Sequence, residues 1–320
     1  MKHDISFAER IKDEIVTNVD VSDDRKLAIL ASFLKINGCL KIHDGKEFIV
    51  VNTENSKIAK FIYQLVSTYF HFEPHFSFER SSLLAKKTRY SVIIDEKIEE
   101  ILERLKLDFI SSSIDSSFLS SDQVRFGYIA GVFLSSGSCN SPASSNYHLE
   151  LAFLDGTFAL QMQKLINELK VASFNMRLIK RRNQFVLYLK KSDLISSFII
   201  MIGAVACCME FEDIRVERDF TNNDNRLFNL DNANMKKTID SSTEQIENIK
   251  YLKENIGLDH IENEKLKVLC EIRLNNKEAS LQELARELGE RLEKNISKSN
   301  VYHLFIKIEQ MVAHYKGEEK

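Results

Sequence analysis

The sequence predicts an α+β protein: a duplicated αββαββα unit followed by an all-α helix-turn-helix domain. Three observations carry this expectation. A nine-residue stretch from Leu30 to Gly38, LASFLKING, returns without a gap from Ile129 to Gly137 as IAGVFLSSG, an offset of 99 residues. The same order of coarse elements follows each copy, and such internal repetition fixes an architecture before finer signals do. Residues 256–320 then read as three helices, each with one apolar face.

Each copy follows a charged, helix-like lead-in. In the first, the helix ending near Gly38 leads to strand-like Leu40 to Ile42, a turn at Asp44-Gly45 and the β-rich run Phe48 to Thr53. Asp-Gly between two such runs signals a hairpin. From Ser56 to Phe70, residues Ile58, Ile62, Leu65, Val66 and Tyr69 recur at the period of one buried helical face. Strands at His75 to Arg80 and Thr88 to Ile94 precede a closing helix, Asp95 to Leu105, within a first repeat of residues 1–110. The second repeat, 111–208, opens on serine-rich Ser111 to Ser121, which reads as a linker. Its elements are helix Asp122 to Ser136, strand Tyr147 to Leu154, helix Gly156 to Leu169, strands Ser173 to Arg181 and Gln184 to Leu189, and helix Ser192 to Gly203. Residues 209–255 turn polar, rich in Asn and Asp from Thr221 to Asn234, with a helix expected only from Met235 through Leu252; this suits an interdomain connector.

Composition bounds the function. At 320 residues the chain can fill two or three cores, and 44% hydrophobic with 28% charged residues is the balance of a packed protein, not a disordered one. No run reaches the roughly 18 to 20 apolar residues of a membrane span, and the first residues, MKHDISFAER, are charged rather than signal-like, so a cytoplasmic protein with no membrane partner is expected. The five cysteines, Cys39, Cys139, Cys207, Cys208 and Cys270, form no C-x-x-C and are expected as buried, reduced thiols. A formal net charge of −3 excludes a generally basic chain, so any grip on nucleic acid must come from local patches.

Both nonapeptides resemble the LAGLIDADG motif of homing endonucleases, in which two helices pack side by side at a pseudo-twofold axis. The resemblance implies that Ala31 and Ser32, with Ala130 and Gly131, let two backbones approach, while Ile29, Phe33, Ile129 and Phe133 fill the surrounding core. In active members the acidic residue before the final Gly of each motif holds a divalent metal, because metal-assisted phosphodiester cleavage needs hard oxygen ligands. This chain has Asn37 and Ser136 there, and Lys35 and Leu134 at the earlier acidic position. The scaffold is therefore expected without the activity: no catalytic residue, no metal and no cofactor.

More of the chain resembles the WhiA family, which joins this degenerate scaffold to a helix-turn-helix. Phe133 to Ser138 with Tyr147 to Glu150 resembles its second motif and strand. Asn225-Arg-Leu with Asn229, Ala233, Asn234, Lys237 and Thr238 resembles its linker signature, and Ile296 to Ser299 with Val301 and His303 its recognition-helix signature. The resemblance implies a nucleoid-associated, non-enzymatic regulator that binds double-stranded DNA and acts in transcription and in cell division or chromosome segregation, with other regulators or division proteins as further partners. The duplication supplies the pseudo-symmetry a dimer would otherwise provide, so a monomer suffices. Two other classes stand beside it: a metal-dependent homing nuclease, which requires carboxylates at positions 37 and 136, and an adaptor of the division machinery that binds DNA weakly.

The C-terminal residues can be read without a family. A helix from Asn263 to Leu274 buries Leu266, Leu269, Cys270 and Leu274. Ser280 with Glu283 forms a capping box, opening a helix that buries Leu281, Leu284, Ala285 and Leu288 and ends at Gly289. Ser297 starts a third helix with Val301, Leu304, Phe305 and Ile308 on its apolar stripe and Lys298, Ser299, Asn300, Tyr302, His303 and Lys307 opposite. Short helix, turn and longer helix places such residues against base edges; Asn300 suits adenine, and Lys298 or Lys307 a phosphate. Leu304 and Ile306 stand where the WhiA signature carries arginine, and Asn300 replaces its glycine, so a weaker DNA affinity is expected. A second patch, Arg177, Lys180, Arg181 and Arg182 with Lys190 and Lys191, has two readings: a retained DNA saddle, or a solvated hairpin tip, since alternation divides the charges between two faces. Lys86, Lys87 and Arg89 are a similar, weaker case. His148 and Glu150 are expected as a hydrogen-bonded sheet pair, and His71 and His75, flanking Pro74, as surface residues.

Overall fold

The computed structural model describes residues 5–18, 21–80 and 88–318, in two compact units divided after Arg218. In the first unit, α1 (Phe7–Thr17) is opened by a Ser6/Glu9 capping box and buries Phe7, Ile11 and Ile15. The first repeat follows as α2 (Asp23–Asn37), β1 (Gly38–His43), β2 (Lys46–Thr53), α3 (Ser56–Phe70), β3 (His75–Arg80), β4 (Thr88–Ile94) and α4 (Ile98–Arg104). The second is α5 (Asp122–Ser136), β5 (Gly137–Cys139), β6 (Leu149–Phe153), α6 (Gly156–Asn167), β7 (Arg177–Arg181), β8 (Gln184–Leu189) and α7 (Ser192–Met201). Two antiparallel sheets result, ordered β1-β2-β4-β3 and β5-β6-β8-β7, so the doubled αββαββα pattern stands. Asp44 and Gly45 close the first hairpin with φ of 48° and 75°, the handedness a tight turn between twisted strands requires.

The two motif helices pack backbone to backbone. A Cβ at Gly131 would overlap Ser32 Oγ and the Ile29 carbonyl oxygen, and one at Gly127 the Arg25 carbonyl oxygen. Ile29, Phe33, Ile129 and Phe133 are all buried around this contact. Every residue from Ala28 to Leu34 is buried, as is every residue from Gly127 to Leu134, which is why neither helix shows a polar stripe. One face of each sheet is closed over the core by Ile49, Val51, Val92 and Ile94, and by Leu149, Leu151, Leu187 and Leu189.

The first unit and the connector differ from the expectation most at three elements. β5 is new: three residues paired with β6 are too short to show alternation. β7 begins at Arg177 rather than Ser173, because Asn175 takes a left-handed φ of 48° that interrupts extended backbone. The polar connector is helical throughout, as α8 (Val205–Asn255), 51 residues long. It contains neither Pro nor Gly, and Asn and Asp are weak helix formers without being breakers. Of the thiols, Cys139, Cys207, Cys208 and Cys270 are buried, but Cys39 is exposed, because it points to the open face of the first sheet where its cross-strand partner Val50 also lies.

The second unit is helical. After the end of α8 come a 3-10 turn (Leu258–His260), α9 (Glu264–Asn275), α10 (Leu281–Leu292) and α11 (Lys298–Glu318). Ile249, Leu252, Leu269, Cys270, Leu284, Leu288, Val301, Phe305 and Ile308 share one core. Leu274 and Leu281 sit at its rim, and Ile272 and Arg273 are buried instead. The Ser280/Glu283 capping box forms as expected. Gly289 does not end α10, which continues to Leu292 with Glu293 as a left-handed cap. The glycine serves close approach, since a Cβ there would lie 2.8 Å from the Lys294 carbonyl oxygen of the returning chain.

Candidate nucleic-acid interface

Ser297 caps α11, its hydroxyl accepting from the Asn300 N–H at 3.2 Å. Val301, Leu304, Phe305, Ile308 and Val312 fix one side of the helix in the core. Lys298, Ser299, Asn300, Tyr302, His303 and Lys307 all remain exposed. Tyr302 and His303 meet edge to face, ring centres 5.8 Å apart. Beneath the helix, Arg273 lies 5.5 Å from the Phe305 ring and donates to Gln245 Oε1 at 2.8 and 3.0 Å and to the Ala279 carbonyl at 2.6 Å. That network locks the α9–α10 turn under the exposed face.

A groove of about 240 Å³ runs beside α11, lined by Asn263, Lys265, Ile296, Asn300, His303, Leu304 and Lys307. No carboxylate lines it, so two lysines concentrate positive charge within a chain of negative net charge. Asn263 and Lys265 were missed from sequence. Asn263 is visible there only as the start of α9, whose N-terminus it caps, and its approach to α11 is a tertiary fact.

The hairpin patch is divided, as alternation requires. Arg177 pairs with Tyr188 in the same cross-strand row as Glu150, and Arg181 shares that open face. Lys180 belongs to the opposite face, its ammonium 5.5 Å from the Phe185 ring, and Arg182 occupies the turn with φ of 52°. Arg181 lies 3.8 Å from Glu150, which is bonded to His148 at 3.0 Å, the sheet pair expected for those two residues. Of the four arginines and lysines proposed, Arg177 and Arg181 share one sheet face, with the Glu150 carboxylate of β6 beside Arg181. His71 caps α3 on the surface, and His75 pairs with Asp95 at 3.1 Å. Arg89 is exposed on β4, while Lys86 and Lys87 lie outside the described residues.

At the motif ends, Asn37 donates to the Asn52 carbonyl at 3.4 Å, and its Oδ1 is buried without a donor. The Ser136 hydroxyl donates to its own helix at Val132, 3.3 Å away. Lys35 donates to the carbonyls of Asp108 and Ser111, and burial lowers its ammonium pKa. Leu134 is packed into the core. One amide and one committed hydroxyl do not fit the carboxylate-rich shell that a divalent cation requires, and among the described residues no group of three or more His, Cys, Asp or Glu is placed to hold a metal. A cleft of about 940 Å³ opens here, taking in Lys12, Asn37, Asn52, Asn55, Arg89, Leu134 and Ser135 among others.

A duplicated LAGLIDADG-like scaffold carrying a helix-turn-helix defines a class of DNA-binding proteins rather than an isolated nuclease fold. Residues 23–108 match the WhiA N-terminal LAGLIDADG-like domain, 125–221 the WhiA LAGLIDADG-like domain, and 225–312 the WhiA C-terminal HTH domain. A "Probable cell division protein WhiA" from Lactobacillus gasseri is 35% identical over 318 residues, spanning 98% of this chain and 99% of that protein. Its namesake from Listeria welshimeri is 33% identical over 320 residues, spanning 98% and 96%. The crystal structure of full-length DUF199/WhiA from Thermatoga maritima superimposes with a TM-score of 0.57 at 25% identity, covering 97% of this chain and 99% of that one. The chain belongs to the WhiA family. Among the described residues no helix is long and apolar enough to cross a membrane.

Proposed function

We propose that this protein is a non-catalytic, nucleoid-associated regulator that binds double-stranded DNA through α11 and acts in transcription and in cell division or chromosome segregation. The observation that carries the DNA-binding part is the acid-free groove beside α11, where Lys265 and Lys307 flank Asn300 and His303. The cell-division part follows the names given to its relatives. Asn300 and His303 would read base edges, while Lys298 and Lys307 take phosphates and set the register. Arg177 and Arg181 on the open sheet face would add a weaker backbone contact, with Lys180 and Arg182 reaching phosphate only at the hairpin tip.

Mobility shifts at graded salt test the reading. Wild type should bind duplex DNA with a salt slope that falls by about two on Lys298→Ala with Lys307→Ala, each lysine releasing about one counterion; equal binding by both proteins would refute it. The scaffold is read as non-catalytic because Asn37 and Ser136 stand at the motif ends. Linearisation of a plasmid in Mg²⁺ or Mn²⁺, abolished by altering either residue, would overturn that part.

A further inference from the structure

The cleft at the end of α2 holds a lysine with no carboxylate in ion-pair contact, although Glu9, Asp13 and Glu54 also line the space. Lys12 projects from α1, an element outside the duplication, so the second repeat has no equivalent. Its ammonium lies 5.9 Å from the Phe133 ring, and among the described residues no carboxylate comes within ion-pair distance of it. Burial lowers its pKa, and the charge of Glu9, three residues away on the same helix, offsets only part of that. The acids that share the cleft are committed elsewhere: Asp13 to Lys57 at 2.6 Å, Glu9 to the Ser6 capping box, and Glu54 to a partner of its own. Lys12 is also held firmly in place. Two residues before it, Arg10 pairs with Glu210, and two after it, Glu14 accepts from the backbone N–H groups of Ala206 and Cys207.

A partly buried charge with no ion-pair partner is a standing cost that a bound anion would relieve. The walls suit one with a hydrogen-bonding shell. Arg89 is a second cation, and the N-terminal residues of α3, Ser56 to Ile58, also line the space. At about 940 Å³ the space admits a sugar-phosphate as well as an ion.

We propose that this cleft is a phosphate site, in which Lys12, seconded by Arg89, receives one phosphate group from a duplex backbone or as the free ion. This goes beyond the helix-turn-helix reading and does not depend on it. Lysine footprinting of the full chain tests it, with sparing acetylation read by peptide mass spectrometry and Lys60, exposed on α3, as reference. Inorganic phosphate is one probe, and a short duplex in phosphate-free buffer is the other. Lys12 should be protected about fivefold relative to Lys60 when the probe is well above its dissociation constant. Protection by both probes marks a pocket for the phosphate group itself; protection by duplex alone marks a site that takes phosphate only from a backbone. If Lys12 and Lys60 are modified equally with either probe, the proposal is overturned. As a second reading, Lys12→Met should lower the duplex salt slope by about one and Lys12→Arg should restore it. Protection by inorganic phosphate is blind to α11, so this test and the Lys298/Lys307 test fail separately.

Discussion

Arg273 is 1% exposed and among the largest side chains wholly inside the protein. Its guanidinium is tolerated because Gln245 and the carbonyls of the α9–α10 turn take up its donors while its carbon lies 5.5 Å from the centre of the Phe305 ring. Arg273→Met should strand those acceptors and destabilise the helical unit by about 3 kcal/mol, read from its melting curve. No sequence pattern distinguishes this arginine from a surface one, since apolar periodicity assigns charges outward by default; the same holds for Arg25, which donates to the Met201 carbonyl at 2.6 Å. The exposed face of α11, by contrast, was legible, because the apolar stripe fixes what must lie opposite. There Asn300→Ala should relax base preference while leaving the salt slope unchanged, which competition shifts with altered sequences would measure. Asp155 shows a pH effect. Its carboxylate caps α6 and its pKa is lowered, chiefly by the Phe158 N–H and then by the Ser112 hydroxyl. Its stabilising effect is therefore complete above the ordinary carboxylate range near about 4 and is lost as pH falls through the lower folded value. Asp155→Asn, which keeps an acceptor without a titrating charge, should flatten the acid limb of the stability profile.

At the scale of elements, the α2–α5 contact organises the first unit. Gly131→Ala sets a methyl against a backbone carbonyl as well as Ser32 Oγ, so relief requires the helices to part, at a cost of about 1 to 3 kcal/mol in chemical denaturation. This contact was readable because small residues recurred at matched places in two copies. The strands β3 and β4 begin and end at the residues expected from sequence. β5 was not readable, being three residues long, nor was the continuity of α8, since its Asn-rich middle has the composition of a loop while lacking any residue that stops a helix. The metal-ligand positions were legible one by one. The cleft beside them was not, because Lys12 and Asn37 are brought together only by tertiary packing.

For the whole molecule, two separate cores predict separable unfolding. Calorimetry of the intact chain should resolve two transitions, with Gly131→Ala lowering one and Arg273→Met the other; a single transition moved by both would contradict this. Residues 219–237 of α8 are exposed without interruption, so limited proteolysis should cut there first and leave two resistant fragments.

Lys35 shows what the end of the first motif helix can accommodate. Its ammonium now ties the end of α2 to the chain between the repeats through two carbonyl oxygens. A change to aspartate or glutamate would turn that tether into repulsion between anion and carbonyl dipoles, and at the matching place Leu134 would have to give up its seat among apolar neighbours. Carboxylates at these two places would therefore weaken both motif helices before they could serve as ligands, so the seats at positions 35 and 134 are set by what the fold tolerates.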